Sequence, residues 1–218
     1  MFFRQHKNGG AFQLLRMLVE TIRRLKDKHY RKKLRNRDFS LICNNCTGGV
    51  LLHILGMQFN SPFVNLWIEP DDYMIMLKNF KEYMCEKLTF IETELDYPVA
   101  LLKDVKIYFQ HYSDKDEAER KWNERVSRIN YDNLFILFIC RDGYTKKNLE
   151  EFDDLPFQNK IAFSNKTYKN IKSHHYIAGF DDVPEILFTW DYVGEYSTKR
   201  YFDSFDFVNW FNGGIRSV

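Results

Sequence analysis

The sequence lacks the long apolar runs that would let a helix cross a membrane, since no stretch of about 18 or more apolar residues occurs. Cysteine is scarce as well, and the 218-residue chain contains only Cys43, Cys46, Cys85 and Cys140. Their spacing fits neither a small disulfide scaffold nor a zinc site with paired ligands. We therefore expect reduced thiols, no metal centre, no transmembrane segment and a cytoplasmic location.

Several motifs that would define a function are also missing. The chain contains no G-x-G-x-x-G, no P-loop and no H-E-x-x-H, so a dinucleotide enzyme, an NTPase and a zincin protease lack support. Basic residues are not interleaved with stacking aromatics and no nucleic-acid-binding motif follows, so we expect no nucleic acid partner. Arg16 and Glu20 interrupt the apolar stretch near the N-terminus, which argues against a signal peptide.

Charge is distributed unevenly, although the net charge is only +2. Residues 1–37 hold twelve Lys or Arg and two acidic residues, so residues 38–218 carry a net negative charge. Between residues 11 and 35 apolar side chains recur at spacings of three and four, which predicts a basic amphipathic helix. These apolar residues are Phe12, Leu15, Leu18, Val19, Ile22 and Leu25. We interpret residues 1–37 as a basic helical extension and residues 38–218 as an α/β domain.

Three interpretations of the basic segment 11–37 remain open. The helix can lie on an anionic membrane surface, where each nearby Lys or Arg contributes about 1 kcal/mol. Alternatively, it docks on its own domain and leaves a solvated basic face. Contact with an acidic protein or a nucleic acid is the third interpretation, and nucleic acid is the weakest partner.

Beyond residue 38, short apolar runs alternate with helical patterns, which predicts an α/β fold in a single domain. We expect a mostly parallel, Rossmann-like sheet flanked by helices. The predicted strands are 39–44, 63–68, 99–102, 105–112, 133–140, 161–164 and 174–177. The predicted helices are 49–55, 70–88, 114–129 and 145–152, the last of them capped by Thr145, with an aromatic helix or turn at 202–211.

Ligands of open α/β sheets bind at the carboxyl ends of the strands. The first predicted strand ends in Asn44-Asn45-Cys46-Thr47-Gly48-Gly49, directly before a helix whose N–H groups and dipole favour a thiolate. Cys46 is therefore our candidate nucleophile, with His111 as its base and Asp142 orienting that histidine. Oxyanion or substrate contacts are assigned to Asn44, Asn45, Gly48, Gly49 and, after the second strand, Asp71.

Structural interpretations accompany each of these assignments. Cys46 can be a small buried residue, and the two glycines can simply shape a turn. Cys43 and Cys46 also form a C-x-x-C, a redox pattern that the position of Cys43 inside an apolar strand weakens. Asp114-Lys115-Asp116 matches a metal-binding D-x-D, but we predict that it caps the following helix.

Several short runs of uncommon residue pairs follow one another along the chain: residues 39–49, Pro70-Asp71-Asp72-Tyr73, Gln110-His111-Tyr112 and the runs 121–125, 128–134 and 152–157. In this order they resemble an uncharacterised bacterial family of exopolysaccharide or capsule biosynthesis proteins. The resemblance covers residues 38 to 212 and leaves the basic helix outside. Where the family has Ser in its Ser-Asn-Asn-Cys, this chain has Cys43.

The resemblance implies a role in polysaccharide assembly, with a glycan or lipid-linked glycan as partner. Our leading hypothesis is a cytoplasmic transferase that modifies a glycan, for example by O-acyl transfer from acyl-CoA, with Cys46 and His111 at its site. One alternative is a glycosyl- or glycerol-phosphate transferase that uses a nucleotide donor such as a sugar nucleotide. Another is a non-catalytic assembly factor that is peripheral on the inner leaflet.

Overall fold

Two β-sheets form the frame of the structure, a computed structural model that describes residues 9–213. The strands are β1 (Ser40–Cys43), β2 (Leu88–Ile91), β3 (Val99–Leu102), β4 (Val105–Tyr108), β5 (Leu134–Ile139), β6 (Asn159–Ser164) and β7 (His174–Tyr176). One sheet is parallel, in the order β1-β5-β6-β7, and the other is antiparallel, in the order β2-β3-β4. The chain therefore has a mixed α/β fold.

Seven helices accompany these strands in the described part of the chain. They are α1 (Gly9–Lys33), α2 (Thr47–Leu55), α3 (Pro70–Lys78), α4 (Phe80–Tyr83), α5 (Lys115–Val126), α6 (Lys146–Asp154) and α7 (Phe207–Phe211), with a 3-10 turn at Tyr201–Ser204. The predicted caps are confirmed: the Asp114 carboxylate accepts the N–H of Glu117 at α5, and Thr145 forms a capping box with Asn148 at α6. Among residues 9–213, no helix is both long enough and apolar enough to cross a membrane.

The parallel sheet is buried on both faces, which explains the unbroken apolar run of β5. Alternate residues of this strand enter two separate clusters of buried side chains. Ile136 and Phe138 join the cluster that contains α3, α5, α6 and the antiparallel sheet. Phe135, Leu137 and Ile139 join the cluster that contains α2 and the aromatic C-terminal segment.

The antiparallel sheet is the main difference from the predicted arrangement. β3 and β4 form a hairpin whose two-residue turn places Lys103 at φ 60°, and β2 pairs with β3. The helix predicted at 70–88 breaks at Asn79, which has a non-helical ψ of 39°, and Leu88 begins a strand instead. The parallel pairing expected from the sequence thus holds for the four-stranded sheet alone.

The segment 63–68 is not a strand, so that prediction was wrong. It is a link between the two sheets, with an isolated antiparallel bridge between Trp67 and Tyr108 of β4. On its other side the Ile68 N–H donates to the carbonyl of Asn44, just beyond β1, at 2.9 Å. These hydrogen bonds satisfy backbone N–H groups of the link although it is not a strand. They also hold the end of β4 close to the end of β1.

Helix α1 (Gly9–Lys33) contacts the rest of the structure through several of its charged side chains. Lys26 pairs with Asp203 at 2.7 Å, and Arg200 holds Asp27 through two hydrogen bonds of 2.8 and 3.0 Å. Val19 is buried, whereas most large apolar side chains of α1 are exposed: Phe12, Leu14, Leu15, Met17, Leu18, Ile22 and Leu25. The helix therefore lies against its own domain with several basic residues exposed, as one interpretation expected, but polar contacts hold it and most of its large apolar side chains face outward.

Candidate functional site

A cavity of about 480 Å³ lies where β1 and β5 end. Its lining comprises Asn45, Cys46, Trp67, Tyr97, Gln110, His111, Arg141, Asp142, Phe188 and Trp190. The three residues predicted to act together, Cys46, His111 and Asp142, thus meet at one cavity. Among the other cavities in the described part of the chain, one of about 490 Å³ has Cys85 in its wall but no histidine, and those of 510, 520 and 610 Å³ have no cysteine.

The turn between β1 and α2 is held by the side chains of Asn44 and Asn45. Asn44 is fully buried, and its amide accepts the N–H of Ile139 at 2.8 Å and donates to the Ile139 carbonyl at 3.0 Å. The Asn45 carbonyl oxygen accepts the N–H of Thr47 at 3.0 Å. Both asparagines therefore fix the backbone on which Cys46 sits, and only Asn45 lines the cavity.

The two glycines allow α2 to pack closely against its neighbours. A Cβ at Gly48 would lie 2.6 Å from Cβ of Cys43, and one at Gly49 would lie 3.3 Å from Val64 Cγ1. Both glycines are buried, and neither is part of the cavity wall. Close packing is thus the role that the structure gives them.

Cys46 is the half-buried residue that precedes the first turn of α2. Its thiol donates a long hydrogen bond, 3.9 Å, to the carbonyl of Leu66. Burial raises the pKa of this thiol above its usual range, while the Arg141 cation acts in the opposite direction and Asp142 adds to the rise. From the sequence we expected the helix N-terminus to lower this pKa; the largest effect on the thiol is instead its loss of hydration, which raises the pKa.

Cys43, the other member of the C-x-x-C, is fully buried. Burial raises its pKa to about 12, and its thiol donates to the Asn45 side chain at 3.8 Å. Cys46 is therefore the more accessible of the two thiols, although both are protonated at neutral pH.

Arg141 and Asp142 follow β5 and form a neighbouring ion pair. The Arg141 Nε donates to Asp142 Oδ1 at 3.2 Å, and Asp142 adopts a left-handed conformation with φ 58°. Burial raises the pKa of Asp142, and Arg141 opposes that rise. The carboxylate therefore orients Arg141, whereas we had predicted that it would orient His111.

His111 reaches the cavity from the antiparallel sheet. It lies three residues beyond β4, and its backbone N–H donates to the Asn65 carbonyl at 3.4 Å. The side chain is exposed, and its ring makes no hydrogen bond to another described residue. The imidazole is therefore free to bond a bound molecule or the thiol.

Aromatic side chains form the remaining walls. The ring of Trp67 stacks on Tyr108 with centroids 3.9 Å apart, and the rings of Phe188 and Trp190 lie 5.1 Å apart. The Arg141 guanidinium lies 4.8 Å from the centroid of the Phe188 ring, a cation–π contact. Between the two rings of the 188–190 segment, buried Thr189 hydrogen-bonds Thr47 of α2 at 3.2 Å, which ties this wall to the cysteine turn.

Sequence reasoning missed several members of this site. Arg141 directly follows a correctly predicted strand, so the rule that identified Asp142 also applied to it. Trp67 ends a run that was misassigned as a strand. Phe188 and Trp190 belong to an irregular segment without periodicity, so the sequence offered no signal for their position.

Asp71 lies outside the cavity. Its carboxylate accepts a hydrogen bond of 2.6 Å from the Asn148 amide, which joins α3 to α6. The paired histidines His174 and His175 are also engaged elsewhere, with Ser164 at 2.7 Å and Ser204 at 3.1 Å. Over residues 9–213, no group of three or more His, Cys, Asp or Glu is arranged to hold a metal ion.

Comparison with known proteins places this site in a family. A family model described as "Domain of unknown function (DUF1919)" matches residues 17–212, so the match begins inside α1 and not at residue 38. The chain is also similar to an uncharacterised protein of Haemophilus influenzae, with 44% identity over 181 residues that cover 83% of this chain and 87% of the relative. Neither description states an activity. The chain belongs to the DUF1919 family.

Proposed function

We propose that this protein is a transferase that acylates a glycan hydroxyl through a thioester on Cys46. The observation that carries the proposal is the convergence of a half-buried thiol, an unengaged imidazole and a guanidinium at one cavity. A nucleophile, a base and a cation at the carboxyl ends of parallel strands are the parts that acyl transfer requires. Acyl-CoA is the donor class that we assign, and the acceptor is a glycan or lipid-linked glycan of polysaccharide assembly.

The first half-reaction moves the acyl group to the enzyme. His111 takes the proton of Cys46, the sulfur attacks the donor carbonyl carbon, and a new C–S bond forms. The bond between that carbon and the donor sulfur then breaks, and the leaving thiol takes the proton from His111. Arg141 stabilises the thiolate and the oxyanion by its charge.

The second half-reaction passes the acyl group to the acceptor. His111 removes the proton of an acceptor hydroxyl, whose oxygen attacks the thioester carbon. A C–O bond forms, the enzyme C–S bond breaks, and the proton returns to the Cys46 sulfur. The protonated resting thiol of Cys46 needs the base in the first step, and the acceptor hydroxyl needs it in the second.

The test is incubation with acetyl-, malonyl- and succinyl-CoA followed by intact mass and peptide mass spectrometry. We expect a hydroxylamine-sensitive adduct on Cys46 in the wild type and in the Cys85→Ser control, and none in Cys46→Ala. His111→Ala should slow its formation by about 10²- to 10⁴-fold. Absence of an adduct with all three donors, or a rate that His111→Ala leaves unchanged, would overturn the proposal.

A membrane-peripheral location is a second proposal, supported by the outward apolar face of α1. Leu14, Leu18, Ile22 and Leu25 are 51 to 58% exposed, and the exposed basic residues Arg24, Lys28 and Lys32 lie on the same helix. An apolar stripe bordered by cations suits an anionic leaflet such as the inner face of the bacterial membrane.

The membrane proposal is tested by cosedimentation with phosphatidylglycerol vesicles, using phosphatidylcholine vesicles for comparison. We expect salt-sensitive binding to the anionic vesicles that Leu18→Asp with Ile22→Asp weakens by about tenfold or more. Leu95→Asp is the matched control, because Leu95 is a similarly exposed apolar residue outside α1. Equal binding of all variants would contradict the proposal.

A further inference from the structure

Arg141 has more hydrogen-bond donors than the protein uses. A guanidinium carries five N–H donors, and the hydrogen bond of Arg141 within the described part of the chain is the Nε contact with Asp142. Arg141 lines the cavity, and its terminal nitrogens have no protein acceptor among residues 9–213. The two terminal nitrogens form one planar edge of the guanidinium. This edge can donate two parallel hydrogen bonds to the two oxygens of a carboxylate or phosphate.

The carboxylates near Arg141 leave this edge free. Asp142 occupies the Nε side, while Glu185 accepts the Gly143 N–H at 2.9 Å and Glu69 accepts the Tyr108 hydroxyl at 2.6 Å. Asp142 already balances the charge of Arg141. A second anion would therefore be bound by hydrogen bonds from the guanidinium edge more than by net charge. We therefore expect lysine, a point charge without the planar edge, to replace Arg141 poorly.

Aromatic surfaces of the same cavity suit a ring next to that anion. Tyr108 covers one face of Trp67, and the Trp67 backbone is bonded to Tyr108 in both directions at 2.9 and 3.0 Å, so the indole is held in place. Trp190 and Phe188 form a second aromatic surface beside Arg141. The electron-rich face of an indole attracts the C–H face of a saturated ring.

We propose that this cavity selects a sugar that bears an anionic group, with Arg141 on the carboxylate or phosphate and the sugar ring against Trp67 and Trp190. The anionic group is inferred from the free edge of Arg141. The assignment of the ring as a sugar rests on the proposed function. Arg141 thus acts as a specificity-determining residue for the substrate, in addition to its electrostatic effect on Cys46.

Tryptophan fluorescence of the whole protein can report binding, because Trp67 and Trp190 line the cavity while Trp122 and Trp210 are each only 2% exposed. The probes are glucuronic acid, glucose 6-phosphate and neutral methyl glucoside, titrated at constant ionic strength. We expect at least one of the two anionic sugars to bind at least tenfold more tightly than the neutral sugar. The tighter of the two then shows whether Arg141 prefers a carboxylate or a phosphate. Adenosine monophosphate and inorganic phosphate complete the series.

Variants separate this inference from the catalytic proposal. Arg141→Gln should remove the preference for anionic sugars, Arg141→Lys should restore little of it, and Arg128→Gln, at a surface ion pair with Glu124, should retain it. Cys46→Ala should bind like the wild type even though it cannot form a thioester. Equal binding of neutral and anionic sugars, or a preference that survives Arg141→Gln, would overturn the inference. Tighter binding of adenosine monophosphate than of any sugar would overturn the assignment of the ring.

Discussion

At the scale of single residues, the environment of Cys46 determines how the site is used. Position before a helix and proximity to Arg141 favour the thiolate, yet burial disfavours it more strongly, and the pKa of the thiol is raised. A resting thiol at neutral pH protects the residue from oxidation and from metals, which react with the thiolate. Its nucleophilicity then depends on a base delivered within the cavity.

Iodoacetamide alkylation of Cys46 should report that balance directly. We expect Cys46 to react more slowly than exposed Cys85 at pH 7.5. The midpoint of its alkylation rate against pH should lie above the ordinary thiol pKa of about 8.5. Arg141→Gln should raise the midpoint further, because it removes the nearby cation that favours the thiolate. Peptide mass spectrometry across pH 6 to 10 measures both sites in the same sample. A midpoint below that of Cys85 would contradict the burial argument.

Gly48 is a residue whose missing side chain is needed for packing. Since a Cβ there would lie 2.6 Å from Cβ of Cys43, Gly48→Ala must displace α2 from β1. We expect a loss of about 1–3 kcal/mol in the free energy of unfolding, measured by urea denaturation. Gly49→Ala meets Val64 at 3.3 Å and is the milder matched substitution. A smaller effect at position 48 than at 49 would contradict the packing explanation.

At the scale of elements, α1 is attached by charged side chains and not by its apolar stripe. The contact between Arg200 and Asp27 is one of its two largely buried ion pairs, with side chains that are 8% and 20% exposed. Removing the charge of one partner in a largely buried ion pair leaves the charge of the other partner without full compensation. The attachment of α1 therefore depends on a few polar contacts, while its apolar side remains available.

Asp27→Asn should loosen α1 without unfolding the domain. We expect a loss of about 2 kcal/mol in the free energy of unfolding, below the full penalty of a buried pair because Asp27 is partly exposed. Hydrogen exchange of the amides of residues 12–33 should also accelerate. Glu20→Gln is the control, because the Glu20 side chain that pairs with Arg23 is exposed. This substitution should lower the free energy of unfolding by less than about 1 kcal/mol. Unchanged exchange in Asp27→Asn would show that other contacts hold the helix.

The 185–191 segment illustrates how an irregular element can build a site. The Ile186 N–H donates to the Cys140 carbonyl at 3.3 Å, directly beyond β5, and the Thr189 carbonyl accepts the N–H of Phe202 at 3.0 Å. These contacts fix the segment over the carboxyl end of the sheet at two points. As a consequence, Phe188 and Trp190 line the same cavity as Cys46, which directly precedes α2.

At the scale of the whole molecule, acid stability depends on the histidines at the edge of the parallel sheet. Burial lowers the pKa of His174 and of His175 below the usual value of about 6.5. The unfolded chain therefore takes up these protons first as the pH falls. The stability that the neutral histidines contribute is present above about pH 6.5 and is lost as the pH falls through their folded values.

Urea denaturation between pH 7.5 and 5 measures this effect. We expect the free energy of unfolding to fall as the pH decreases, and the fall to be smaller in His174→Gln with His175→Gln. His53→Gln, at an exposed histidine of α2, is the control and should keep the wild-type slope. An unchanged slope in the double variant would assign the acid sensitivity to other groups.

The sequence by itself determined much of the local structure. An unbroken apolar run predicted the buried strand β5, and Asp114 and Thr145 marked the caps of α5 and α6. The rule that ligands bind beyond parallel strands located Cys46 and Asp142. These features follow from neighbours within a few residues, which is why they can be read from the chain alone.

Tertiary structure decided the features that depend on distant partners. Pairing of β2, β3 and β4 in a separate sheet, and the link at 63–68, bring His111 to the cavity that Cys46 also lines. The direction in which α1 faces follows from acids and carbonyls about 170 residues away along the chain, including Asp203. Likewise, the pKa of Cys46 is raised because the assembled fold removes water from a thiol, and no local pattern encodes that burial.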